Sequence, residues 1–417
     1  MATTSTIPEN ALPPDPGAPA SGLLVSLTPL PPEALAATLA NLALAFPNQT
    51  IDVTTPDPSP AALPDGLRIT TYTPSIPAPG GWVLTAADHL NTFKRLQETQ
   101  SSSCLLLGPE AQSLSPEALR DLAGAITASR CDLAMPRYSL GPRDGLVNSA
   151  ILYPVTRALF ATRPRYPLAI DLAFSTRMAQ HLAACAQRSI SANQPGAIVW
   201  PVAEAATAGC SIAEVHTGPR ALPPPDYADL NTLLAQVCGS FFADLDAKAG
   251  FWQRARLSYS TRATPPTHPL PADPGITESA EIQPMLSSFQ FAYSNLQEIW
   301  SLVLPPNSLL GLKKLSIMPA SAFRMPDSLW ARILYDFVLA YRLRTINRGH
   351  LLGALTPLYL AWVASHLLQT GAVPPDSNPS GKQSATAESH IESLAVAFET
   401  EKSYLVSRWR WPDRFNP

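Results

Sequence analysis

The chain has 417 residues, 46% hydrophobic and 15% charged, a balance that supports a folded core and excludes a disordered polymer. Its formal net charge of −3 leaves no basic footprint of the kind nucleic-acid binders carry, so a nucleic-acid partner is excluded. The 45 prolines are about twice the usual share of ~5%, and they gather in loops and tails.

Residues 1–21 are rich in Pro, Ala, Ser and Thr, with neither a basic start nor an apolar run. That predicts a disordered tail, no secretory signal and a cytoplasmic protein. "GLLVSLTPL" (22–30) reads as an apolar strand ending in a turn, and 31–46 as a helix with Pro just inside its start. Strand signals return at 49–55 and 68–73, followed by a polar-faced helix over 86–100. "CLLL" (104–107) is the next strand, and Ser115 caps a helix that begins at Pro116 and runs to about Ala128. "CDLAMPRY" (131–138) is strand again. Strand and helix alternate, which predicts an α/β layer fold with a largely parallel sheet from 22 to about 240.

From 241 to the C-terminus the patterns turn helical, with Pro-rich connectors at 262–275 and 374–388. In the helix predicted over 326–348, Leu329, Ile333, Phe337, Ala340 and Tyr341 form one apolar stripe, with Asp336 beside it as a partner for Arg332 or Arg344. Residues 351–370 carry no charge and approach the ~20 residues that span a bilayer. Pro357, His366 and the small residues among them favour a buried helix over a membrane span. A last helix covers 390–411, and Trp409 and Trp411 in it are read as anchors of the tail onto the core. The five cysteines are scattered, lack any CxxC pair and read as buried free thiols. There is no GxSxG, Walker or Rossmann glycine signature.

Two segments carry a resemblance: "MPRYSLGPRDGLVNSAILYPVTRALF" (135–160) and "RPRYPLAIDLAFSTRMAQHL" (163–182). The helical half adds "FW" (251–252), "LWARILYDFVLAYRLR" (329–344), "LLGALTPLYLAWVAS" (351–365) and "EKSYLVSRWR" (401–410). Together they resemble the GT-A nucleotide-sugar glycosyltransferases. More narrowly, they resemble a bacterial family-2-like group related to mannosylglycerate and glucosyl-3-phosphoglycerate synthases. The resemblance implies a Rossmann-like GT-A domain over 22–240 and an α-helical extension over 241–417. It also implies a nucleotide-sugar donor and a small, glycerate-like acceptor.

In that group an Asp-x-Asp at the mouth of the fourth strand holds Mg²⁺ or Mn²⁺ against the donor diphosphate, offsetting the charge of the leaving group. Here Gly108 and Glu110 stand at those two positions. Ile198 replaces an acidic residue before Trp200, and Leu222 stands where the group offers a metal-binding His, with His216 six residues early. With these ligands missing, no metal is expected. Asp171 matches the group's acidic residue near the acceptor, where it would accept a proton or orient the hydroxyl; its other reading is a helix cap or a buried carboxylate. Arg137, Tyr138 and Asn148 match the sugar- and phosphate-binding segment, and Arg137 or Arg143 would stabilise a leaving phosphate without a metal. Arg137 and Tyr138 also read as strand-edge residues paired with Asp144 or with solvent. Two functions follow from the resemblance: a glycosyltransferase, or a catalytically inactive pseudo-glycosyltransferase that binds or regulates a partner. The partner would be a second copy or an active paralogue.

Overall fold

The computed structural model describes residues 22–58, 64–77, 81–128, 131–141, 144–222, 230–256, 261–264, 282–370 and 387–412. The predicted tail, most of both connectors and Arg143 lie outside the described residues.

The first half runs β1 (Leu23–Leu27), α1 (Pro32–Ala45), β2 (Ile51–Thr55), β3 (Leu67–Thr71), α2 (Ala86–Thr99), β4 (Ser103–Leu107), α3 (Pro116–Thr127) and β5 (Leu133–Ser139). A π-helical turn (Asn148–Leu152) leads into α4 (Tyr153–Phe160), followed by β6 (Asp171–Ser175), α5 (Thr176–Ser191), α6 (Pro201–Thr207) and β7 (Ile212–Pro219). These strands form one sheet in the order β3-β2-β1-β4-β6-β5-β7, and β8 (Arg262–Thr264) extends the β7 edge. All neighbours are parallel except β6, which runs antiparallel to both β4 and β5. The largely parallel α/β layer expected from the sequence is therefore present.

β1 and β4 are buried on both faces, which is why they read as unbroken apolar runs. Leu23, Val25, Leu105 and Leu107 point to the face covered by α1 and α3, while Leu24, Cys104 and Leu106 point to the face covered by α2, α5 and α6. Ser115 caps α3 as predicted, accepting the Ala118 N–H at 3.2 Å.

The second half is helical: α7 (Leu230–Ala247), α8 (Ala249–Trp252), α9 (Ile282–Asn295), α10 (Gln297–Val303), α11 (Pro306–Ser316), α12 (Asp327–Leu343), α13 (Arg348–Thr370) and α14 (Ala387–Arg410). Its core is continuous with the α/β layer, since Ile151, Leu159 and Trp200 cluster with Trp252, Trp330 and Trp362. Trp330 donates its indole N–H to the Ala150 carbonyl at 2.8 Å. α14 is fastened to α4 by Arg157, which reaches Glu392 at 2.5 Å and Glu399 at 2.6 Å. Among the described residues α13 is the one helix long and apolar enough to cross a membrane, and 83% of its apolar window is buried in the protein. It is a core helix, as its Pro357 and His366 suggested.

Two expected pairings are corrected. Asp336 accepts the Tyr404 hydroxyl at 2.8 Å and faces Arg408 at 3.3 Å, because α14 rather than α12 itself covers it. Arg332 pairs with Glu401 instead. Trp409 meets Trp252 edge-on at 4.9 Å and anchors the tail, whereas Trp411 is exposed.

Candidate functional site: the mouth of the fourth strand

The register that pairs Leu107 of β4 with Asp171 of β6 delivers the Asp171 carboxylate to the end of β4. The chain then turns through Gly108, Pro109 and Glu110. Gly108 lies so close to β6 that a Cβ there would sit 2.5 Å from the Ile170 carbonyl oxygen, so only glycine fits. Its N–H donates to Asp171 Oδ1 at 3.3 Å. Glu110 adopts a left-handed backbone conformation at φ 60°. That turns its carboxylate aside, where it accepts the Gln112 amide at 2.7 Å.

The centre of the mouth is filled from the opposite side by Arg220, just beyond β7. An extra residue in β7, between the positions that pair with Arg137 and Tyr138, breaks the ladder register. A positive φ at Gly218 follows, and the strand end is re-aimed. The Arg220 guanidinium grips Asp171 with two parallel bonds, Nε to Oδ2 at 2.8 Å and Nη2 to Oδ1 at 3.0 Å. Nη2 also donates to the Pro109 carbonyl at 2.7 Å. Nη1 donates to the Glu110 carbonyl at 2.5 Å, Ser113 Oγ at 2.9 Å and the Ala221 carbonyl at 2.8 Å. Neither side chain of the pair has any exposure, 0% on both.

Tyr138 closes the constellation by donating its hydroxyl to Asp171 Oδ2 at 2.8 Å. Burial, reinforced by the Asp171 charge, pushes the phenol far above its ordinary value, so it stays a donor. Burial opposes the charge of Arg220, but the Asp171 carboxylate outweighs it and holds the guanidinium above its ordinary value. Asp171 thus receives donors on both oxygens from Gly108, Tyr138 and Arg220. Every N–H of Arg220 is directed at an oxygen.

This donor set does not fit a divalent cation. Gly108 offers no side chain, the Glu110 carboxylate is turned to Gln112, and a fixed cation already lies between Asp171 and two carbonyls. A second cation beside it would be repelled in a medium of low polarity.

The sequence candidates divide between this cluster and its surroundings. Asp171, Tyr138, Gly108 and Glu110 come together. Arg137 precedes Tyr138 on β5 and therefore points to the other face of the sheet. It pairs there with Glu214 at 3.3 Å and with Glu388 of α14 at 2.6 Å, not with Asp144, and it keeps 33% exposure. Asn148 is buried in the π-helical turn and accepts the Leu168 N–H at 3.1 Å, which fixes that loop. Ile198 is buried and bridges to Thr85. His216 on β7 is held below its ordinary value by burial and then by Arg137.

Sequence reasoning missed Arg220. The available signal was a charged residue directly after an apolar strand, in "HTGPRAL". Glu388 was missed too. It reaches Arg165 at 3.4 Å as well as Arg137, so α14 lays a carboxylate across both arginines.

No family profile matches the chain, and no curated protein does. Solved structures do. Glucosyl-3-phosphoglycerate synthase from Mycobacterium tuberculosis, in complex with Mn²⁺, UDP-glucose and phosphoglyceric acid, is 17% identical. It covers 55% of this chain and 80% of its own, with a TM-score of 0.32. The same enzyme with phosphoglyceric acid alone gives 17% identity, 54% and 79% coverage and a TM-score of 0.33. A nucleotide-diphospho-sugar transferase from Desulfovibrio desulfuricans G20 gives 11% identity, 56% and 98% coverage and a TM-score of 0.25.

Proposed function

We propose that this chain is a GT-A-type glycosyltransferase scaffold whose metal mouth is sealed by an internal ion pair, and that it acts as a non-catalytic binding or regulatory partner. The observation that carries this reading is the Arg220–Asp171 pair, wholly buried at the end of β4. Metal-assisted sugar transfer needs carboxylates aimed at a cation and a base that can reach the acceptor hydroxyl. Here the carboxylate of Asp171 is shielded from solvent and committed to its three donor residues. Supporting it are the largely parallel sheet with helices on both faces and the resemblance of the segments quoted above. A second copy or an active paralogue is the partner this reading implies.

A second reading, metal-free transfer from a nucleotide-sugar to a small acceptor, draws on Arg137, whose guanidinium is partly exposed and would have to exchange its pairing with Glu388 for a phosphate. One experiment separates the two. UDP-, GDP- and ADP-sugars are titrated with and without Mg²⁺ or Mn²⁺, following binding and sugar release together. The sealed-scaffold reading expects no release under any condition. Release stimulated by metal would overturn it, and release indifferent to metal would establish the second reading.

A further inference from the structure

Away from the mouth, the α/β layer carries a second cluster of ligating side chains, between α5, α6 and α7. His181 and Cys185 are one helical turn apart on α5, so both face α6, where Glu204 projects between them. The ligand atoms of all three lie within 4.8 Å of one another, and His181 Nε2 is 2.9 Å from Glu204 Oε2. We propose that His181 Nε2, Cys185 Sγ and Glu204 Oε2 bind a zinc-class divalent cation.

The donor chemistry selects the metal. Thiolate, imidazole and carboxylate together suit Zn²⁺ and not Mg²⁺ or Ca²⁺, which take oxygen ligands. Three protein ligands leave a tetrahedral ion one open position. Beside the cluster lies a groove of about 370 Å³ lined by Cys185, Trp200, Glu204, Asp244 and Lys248. Asp244 contributes an independent sign: its Oδ2 is buried with no hydrogen-bond partner.

The surrounding charges are accommodated. Lys248 holds Glu204 through Oε1 at 2.8 Å, leaving Oε2 for the ion, and it also pairs with Asp244. Arg188 donates to Cys185 Sγ at 3.2 Å, but burial and then the Glu204 charge push the thiol up to about 12, so the charge of the ion itself is what draws off the proton. Binding forms a metal–sulfur bond and releases the thiol proton to solvent. His181 and Glu204 then share the metal in place of their mutual hydrogen bond.

The test uses the full chain, stripped with a chelator and titrated with Zn²⁺ and then Co²⁺. One equivalent is expected to bind with proton release, and the Co²⁺ form to show a thiolate charge-transfer band in the near ultraviolet. Cys185→Ala should abolish that band. Cys131→Ala, in the core on the opposite face of the sheet, should leave it intact. His181→Ala alters a partly exposed ring and so spares the fold; it should weaken affinity at least about tenfold. Failure to hold one equivalent at micromolar Zn²⁺ would overturn the proposal. So would a band that survives Cys185→Ala, or an affinity unchanged by His181→Ala.

Discussion

Arg220 holds a full charge in a place where water does not reach, and a single carboxylate would not offset that desolvation. The Pro109, Glu110 and Ala221 carbonyls and Ser113 Oγ complete its shell. Arg220→Ala should therefore strand Asp171 as an unpaired buried charge and lower the unfolding free energy by about 3–5 kcal/mol, read by denaturant titration. Arg220→Lys should recover only part of the loss, because an ammonium cannot reproduce the bidentate fork. A loss below about 1 kcal/mol for Arg220→Ala would mean that the pair does not hold the mouth closed. Of the two partners, only Asp171 was legible in the sequence, through its match to the acidic residue of the group that the segment resembles. Arg220 acquires its meaning from a partner 49 residues earlier, across two strands, and no local pattern records that distance.

At the level of elements, β1, β4 and the capped α3 were legible because their signals are local. The reversed direction of β6 was not, since direction depends on where the chain returns and not on which residues alternate. α9, α10 and α11 were visible only as helical texture. The fastening of the late helices was equally hidden. His366 of α13 meets His390 of α14 with Nδ1 atoms 2.7 Å apart, and His390 Nε2 reaches Asp327 of α12 at 3.2 Å. Burial, then the neighbouring His390, pushes His366 from its ordinary 6.5 down to about 3. The folded state thus binds the proton more weakly than the unfolded one. The stability this group contributes is fully present above about 6.5 and is lost as pH falls from there toward 3. His366→Gln keeps a hydrogen-bonding group but acquires no charge, so its stability should fall less than that of the parent between those values. Parallel stability–pH curves for the two proteins would rule this out.

For the molecule as a whole, one core runs from the π-helical turn through α13 to α14. Sheet and helical extension should consequently unfold in a single transition, with far- and near-ultraviolet dichroism superimposing; two resolved steps would show that the halves are independent. The same core accounts for the long apolar stretch of α13. Its side chains are spent on Trp330, Phe398 and their neighbours, leaving no apolar belt for lipid. In a liposome flotation assay without detergent the chain should stay in the buffer fraction. Flotation with the vesicles would require α13 to leave the core.

The contact between Gly108 and Ile170 also limits what the mouth can become. An aspartate at position 108 would place its Cβ 2.5 Å from the carbonyl oxygen of Ile170, the residue just before β6, so that segment would have to move before the new carboxylate could be seated. Arg220 would have to leave as well, and removing it first exposes Asp171 to the penalty described above. Every single-substitution path toward a carboxylate pair thus begins with a less stable protein, whichever step is taken first. The backbone here works as a ratchet: once the glycine lets the two strands draw together, the chain can tolerate changes around the closed mouth far more easily than it can reopen it.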